Sequence, residues 1–222
     1  MKTGQARVAL TAALLTAIGD RRIVRPWYLR WGATDEEIAR SMPLDDRVPG
    51  PRLASTMAIT IDAPPERIWP WLAQMGEGER AGYYSFEPVE RALGLEVENS
   101  WRILPEYQQL EVGQAIDRAG TMIVLAVEPN RHLVLGPPPT VPVAATWSFA
   151  LYPIDARRTR LVTRVHGDWR WGQMLRDTPV SAWPFYLLIE PGAFVMEWQM
   201  LRGIKARAEA WAPGEVTAPR AA

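Results

Sequence analysis

The sequence predicts an α+β domain in the order strand, helix pair, antiparallel strands, long C-terminal helix. Three observations carry this prediction. Met57, Ile59 and Ile61 alternate with Ala58 and Thr60, the period of a half-buried strand, and Asp62-Ala63-Pro64-Pro65 then opens a helix. Short strand-like runs follow residue 110, separated by Gly and Pro turn signals. Residues 193–211 carry apolar side chains at helical spacing over roughly 28 Å.

Composition bounds what such a domain can do. The chain has 222 residues, 48% hydrophobic and 23% charged, enough for one sizeable core and inconsistent with overall disorder. Lys+Arg and Asp+Glu are 25 each, so there is no basic surplus and no nucleic-acid partner is expected. There is no Cys, which excludes disulfides, thiolate metal sites and a cysteine nucleophile. With His132 and His166 as its two histidines, the chain is not expected to hold a metal or a cofactor. Any chemistry falls to carboxylates, tyrosines and arginines. The 11 Trp are an excess, and the 20 Pro mark turns and helix starts.

The elements follow in chain order. Lys2 and Arg7 precede an apolar run over 8–18, too short to span a bilayer. It mimics a signal peptide, but a helix packed on the domain or lying at a membrane surface is the favoured reading; cytoplasmic residence is the expectation, with peripheral membrane contact as its variant, ahead of export. Trp27, Tyr28 and Trp31 sit between basic residues. Thr34 and Glu37 form a capping-box signature for a short helix that stops before Pro43. Residues 45–52 are a connector. After the strand at 57–61, Ile68, Trp69, Leu72 and Met75 give the next helix its apolar face, and Gly76 ends it. Residues 76–82 form a loop, and 86–93 a second short helix. Strands are expected at 112–116, 121–127, 132–135, 145–152 and 159–166. Thr178-Pro179 caps a helix carrying Trp183, Phe185, Tyr186, Leu187 and Leu188, and Pro191-Gly192 breaks it before the last helix. The expected organisation is an arm and connector over 1–50, one domain over 51–212 and a disordered tail over 213–222.

Several motifs carry a family resemblance. The opening Met57-Ala58-Ile59-Thr60-Ile61-Asp62-Ala63-Pro64-Pro65-Glu66-Arg67-Ile68-Trp69 resembles the usual start of the START-like, or SRPBCC, superfamily of polyketide cyclases/dehydrases and lipid-transport proteins. Trp31 to Glu37, Gln74-Met75-Gly76, Arg80 to Ser85, Ile103 to Gln108, Met196-Glu197 and Leu201 to Ile204 are similar to an uncharacterised bacterial subgroup of it. The resemblance covers about residues 31–209. It implies a helix-grip fold: a curved antiparallel sheet wrapped around the long C-terminal helix, two short helices after the first strand, and here an extra N-terminal helical arm. It also implies a cavity for an apolar ligand between sheet and helix. It assigns no catalytic residue.

Candidate ligand-binding residues come from placement. On a helical wheel Glu197 lies near the middle of the arc of Met200, Trp211, Ile204, Ala208, Leu201, Phe194 and Trp198, so it is expected to be buried and to need a partner or a raised pKa. That partner is an arginine of the sheet in a purely structural reading; in a functional reading Glu197 anchors a ligand or moves a proton. Arg164 and His166 alternate with Leu161, Thr163 and Val165. They face solvent, or else Arg164 faces the cavity and meets Glu197 or an acidic ligand. Tyr83, Tyr84, Trp101, Glu106, Tyr107 and Gln108 belong to loops bordering the mouth, where they orient a ligand or brace the loops through Arg80, Tyr84 and Glu106. Trp147, Met196, Trp198 and Met200 complete the set; Met57, Met122 and Met174 are further candidates for an adaptable lining. Gly76, Gly78 and Gly82 have the wrong spacing and context for a dinucleotide fingerprint.

Three functions remain open at this stage. The first is binding or carriage of a small hydrophobic or aromatic ligand. The second is a cyclase/dehydratase-type enzyme using Glu197, Tyr84 or Glu106 for proton transfer. The third is a membrane-peripheral lipid-transfer module using residues 1–31 and 183–188.

Overall fold

The computed structural model describes residues 23–141, 143–168 and 183–211. The apolar run at 8–18, Met174, the Thr178-Pro179 cap and the C-terminal tail lie outside the described residues. So do the side chains of residues 183–188.

Five antiparallel strands form one sheet in the order β1-β5-β4-β3-β2. They are β1 (Leu53–Ile61), β2 (Ile123–Glu128), β3 (His132–Gly136), β4 (Ala145–Pro153) and β5 (Thr159–Gly167). β4 and β5 pair without slippage from Ala145↔Gly167 to Pro153↔Thr159, and β1 pairs with β5 from Leu53↔Gly167 to Ile61↔Thr159. Inward residues of alternating strands, among them Met57, Ile61, Phe149, Leu151 and Leu161, build the main core. Against that face lies α5 (Trp183–Ala210), contributing Met200, Leu201, Ile204 and Ala208. This sheet gripping a long helix is the helix-grip fold.

Two expectations need correction. Residues 112–116 are not a strand: a turn occupies 111–114, and Ala115 alone bridges Ile123. Gly113 has φ +90°, which takes the chain out of extended geometry within the run. The second concerns Pro191-Gly192, which does not break the C-terminal helix. Proline in a helix interior forfeits a hydrogen bond, and contacts on both sides of it hold the axis. One turn of helix, α1 (Arg25–Leu29), supplies them. The Arg25 guanidinium donates to both Glu190 oxygens at 2.7 and 3.0 Å, and the Tyr28 hydroxyl donates to Glu190 Oε1 at 2.6 Å. On the far side of the proline, Trp27 and Tyr28 rings lie 5.5 Å from Phe194.

The N-terminal segment protects the sheet. Ala58 N–H, on the free edge of β1, donates to Trp31 O at 3.1 Å. The chain then runs over the outer face through α2 (Asp35–Ala39), whose Thr34/Glu37 capping box is present. Among the described residues, no helix is long and apolar enough to cross a membrane.

Between β1 and β2 lie α3 (Pro65–Ala73) and α4 (Glu87–Ala92). α3 buries Ile68, Trp69, Trp71 and Leu72. The glycines after it serve the backbone: Gly76 and Gly82 exchange N–H···O=C bonds at 3.0 and 3.1 Å, closing the loop as a small bridge.

Candidate functional site

A cavity of about 470 Å³ lies between the sheet, α4 and α5. Its walls come from elements that alternate and turn in a fixed way. β4 contributes Trp147 and β5 Val165, both on the face toward α5; α5 presents Met196, Glu197 and Met200 within about one turn. The loop after α3 supplies Tyr83 and Ser85, and the segment around β2 supplies Asp117 and Met122. The lining is predominantly apolar, and the cavity reaches the surface past the exposed residues Leu93, Thr121 and Ala193.

Glu197 is enclosed by the sheet and its own helix. Its Oε1 accepts a 2.9 Å hydrogen bond from the Thr163 hydroxyl on β5. Among the described residues no arginine pairs with it, so the expected ion pair with the sheet is replaced by a neutral donor. Burial raises its pKa to about 7, and the Thr163 hydroxyl and the Trp147 indole partly offset that rise. The Trp147 N–H itself makes no hydrogen bond of normal geometry.

A second acid faces the same space. Glu90 on α4 is 3% exposed, and its Oε2 has no hydrogen-bond partner. Burial, with the neighbouring Glu87 charge, raises its pKa to about 7. Sequence reasoning missed it for a physical reason: α4 is inverted. Val89 and Leu93, the apolar positions, are 47% and 64% exposed, while Glu90 turns inward.

Of the residues expected at the site, the cavity brings together Tyr83, Trp147, Met196, Glu197 and Met200. Tyr83 and Trp147 rings approach to 6.1 Å, tilted at 39°. The others stand elsewhere. Tyr84 is fully buried, its hydroxyl donating to Trp71 O at 2.9 Å and its backbone in the left-handed region at φ +59°. Its amide donates to Asn99 Oδ1 at 2.6 Å, and the Arg207 guanidinium lies 4.6 Å from its ring. Trp101 stacks on the other side of Arg207 at 4.1 Å. Glu106 is exposed on a turn of 3-10 helix and belongs to no bracing network. Gln108 donates to Gln74 Oε1, Pro70 O and Leu104 O, so it braces the loops around the fully buried Gln74. Arg80 donates to Met75 O and Ala73 O, both at 2.7 Å. Trp198 packs edge-on to Trp31 and under Arg202.

Arg164 is the largest correction. It faces neither solvent nor the cavity. Period two places it on the outer face, where the N-terminal segment covers it to 3% exposure. It donates to Asp45 Oδ2 at 2.6 Å, to the carbonyls of Glu37, Ile38 and Arg40, and to Thr56 Oγ1. His166, two residues along the same face, approaches Asp45 at 3.6 Å, and burial lowers its pKa.

Among the described residues no cluster of His, Asp and Glu could hold a metal ion.

Comparison with known proteins adds similarity of fold. No family model matches the sequence, and no curated protein matches it. Several solved structures do. The chain is similar to a Streptomyces aromatase/cyclase, Zhui, at 17% identity over 74% of this chain and 99% of that one, with a TM-score of 0.42. A polyketide-cyclase-like protein from Corynebacterium glutamicum is 12% identical over 68% and 88%, also at 0.42. A Chromobacterium violaceum protein is 14% identical over 70% and 96%, at 0.40.

Proposed function

We propose that the protein binds and carries a small apolar or aromatic molecule in the cavity between its sheet and its C-terminal helix. One observation carries this reading: a cavity of about 470 Å³, apolar over most of its lining, with a few buried polar atoms left without partners. Its volume lies within the range of about 300–1,000 Å³ typical of small-molecule sites. Glu90 Oε2 is one such atom among the described residues, and a buried polar group without a partner costs free energy that a ligand hydroxyl would recover.

A second reading rests on a specific feature. Glu90 and Glu197 line one cavity and burial raises the pKa of each to about 7, the range in which a carboxyl can donate or accept a proton in use. A cyclase- or dehydratase-type step on the bound molecule would draw on them. Tyr84 and Glu106 have no part in that reading, because neither reaches the cavity.

Native mass spectrometry of gently purified protein tests the proposal. A co-purified apolar compound, displaced when Met200→Trp fills the cavity, is the expected result. Protein that arrives empty and takes up no Nile red overturns it. Turnover of the co-purified compound, lost in Glu197→Gln while binding persists, would favour the second reading.

A further inference from the structure

The charged groups that line the cavity among the described residues are all of one sign. Glu77, Glu90, Asp117 and Glu197 face it, and among the described residues no lysine or arginine does. The nearby cations are committed to other partners. Arg80 is held by the carbonyls of Met75 and Ala73 and lies over Tyr107. Arg118 pairs with Glu96, outside the cavity lining. Arg207 donates to Ser100 O at 2.7 Å and is stacked between Tyr84 and Trp101.

Asp117 accepts from the Thr121 amide and hydroxyl and from the Met122 amide, whereas the two carboxyls on the helices are short of partners among the described residues. Glu90 Oε2 is buried with no hydrogen-bond partner among the described residues, on a residue 3% exposed. Among the described residues Glu197 has the Thr163 hydroxyl and no cation. Burying carboxyl groups this way is costly, and a positive charge placed among them would offset the cost. Two aromatic rings stand beside them. Tyr83 and Trp147, 6.1 Å apart, line the same space, and the faces of such rings attract cations through their quadrupoles.

We propose that this cavity selects an apolar ligand carrying a positive charge, an aliphatic or aromatic ammonium, and disfavours apolar anions such as fatty acids. The inference rests on the reading that the cavity holds a ligand, and it fixes the class of that ligand. The hydrocarbon part packs against Met122, Met196 and Met200, and the ammonium sits between the carboxylates and the Tyr83–Trp147 pair. The Tyr83 phenol reports the same field: after burial itself, Glu77, Asp117 and Glu90 are the groups that raise its pKa. A fatty-acid carboxylate in that position would meet four acids and no compensating base among the described residues.

The test is displacement of Nile red from the full-length protein by decylamine, decanol and decanoate, three probes of one chain length and different charge. The amine is expected to displace the dye at about ten-fold lower concentration than the carboxylate, with the alcohol between them. The double variant Glu90→Gln/Glu197→Gln is expected to lose most of the amine's advantage and to keep its affinity for decanol. Tight displacement by decanol, with the amine no better than decanoate, overturns the charge selectivity and leaves the cavity reading intact. An amine advantage that survives unchanged in the folded double variant also overturns it. No dye uptake at all overturns both.

Discussion

The Thr163 hydroxyl on β5 and the Glu197 carboxyl on α5 form a 2.9 Å hydrogen bond across the seam between sheet and helix. It is a weak partner for a carboxylate. A neutral donor stabilises the ionised form less than an arginine would, so burial prevails and the pKa rises from 4.5 to about 7. The sign of the pH effect follows. Below the ordinary pKa both folded and unfolded chains hold the proton, and there is no penalty. Between 4.5 and about 7 the unfolded chain releases the proton that the folded chain keeps, so stability falls as pH rises. Above that window the full penalty remains. Glu197→Gln removes the titration and keeps the acceptor. In urea unfolding the variant should match the wild type near about pH 3.5, below both pKa values, and exceed it by ~1–3 kcal/mol near about pH 8. A variant less stable than wild type at the higher pH would contradict the burial account.

Arg164 joins the N-terminal segment to the sheet by four hydrogen bonds, to Asp45 and three backbone carbonyls, and makes a fifth within the sheet to Thr56. Arg164→Met takes the donor from Thr56 and the three carbonyls and the cation from Asp45, which keeps the Met42 N–H at 2.8 Å, and should cost ~3–5 kcal/mol in urea unfolding. Because the arginine lies on the face away from the cavity, Nile red affinity of the protein that remains folded should not change. A loss of dye affinity without loss of stability would place Arg164 in the site after all.

How much of this was legible in the sequence depended on which force decided each residue. Period-two alternation and Pro-opened helices act locally, so the strands at 132–135, 145–152 and 159–166, α3 and the Thr34/Glu37 cap were readable. The inward position of Glu197 was readable too, since the apolar arc on its helix surrounds it. What covers a face is a tertiary matter. Alternation put Arg164 opposite Thr163 correctly, but nothing in β5 says that residues 37–45 lie over it. Glu90 was beyond reach because α4 exposes its apolar residues; only the neighbouring cavity explains the inversion. Pro191 was misread because Glu190 and Phe194, which hold the helix across it, find their partners in α1, more than a hundred residues away in sequence.

Gly203 marks a close approach of α5 to the loop that carries Tyr83 and Tyr84. A Cβ there would collide with Tyr84 O and press on the Tyr84 side chain. Gly192, in the same helix, has open space around it. The same substitution should therefore act in opposite directions. Gly192→Ala should be neutral or stabilise by up to ~1 kcal/mol, the ordinary helix preference. Gly203→Ala should destabilise by ~1–3 kcal/mol and weaken Nile red binding, because Tyr83 moves with Tyr84. Thermal unfolding and dye titration of the two variants side by side check both effects.

Trp101 is the residue whose neighbours best separate bracing from binding. Its ring lies 4.1 Å from the Arg207 guanidinium, which on its other side meets Tyr84 at 4.6 Å. Burial lowers the Arg207 pKa to about 10, leaving the guanidinium charged at neutral pH, so the stack is a cation between two aromatic faces. At 39% exposure Trp101 supplies the solvent-side face of that stack. Trp101→Ala should cost ~0.5–1.5 kcal/mol by loss of the contact. Tyr84 and Trp71 hold the loop from within, through a 2.9 Å hydrogen bond that does not involve Trp101, so the cavity walls stay in place. Dye affinity should then be unchanged while the melting temperature falls. Trp147→Ala should show the reverse emphasis: it removes a cavity wall and one member of the Tyr83 pair, so dye affinity should drop several-fold more than in Trp101→Ala. If Trp101→Ala lost affinity as Trp147→Ala does, the ligand would have to reach the Arg207 stack, and the mouth of the cavity would lie there and not beside Leu93.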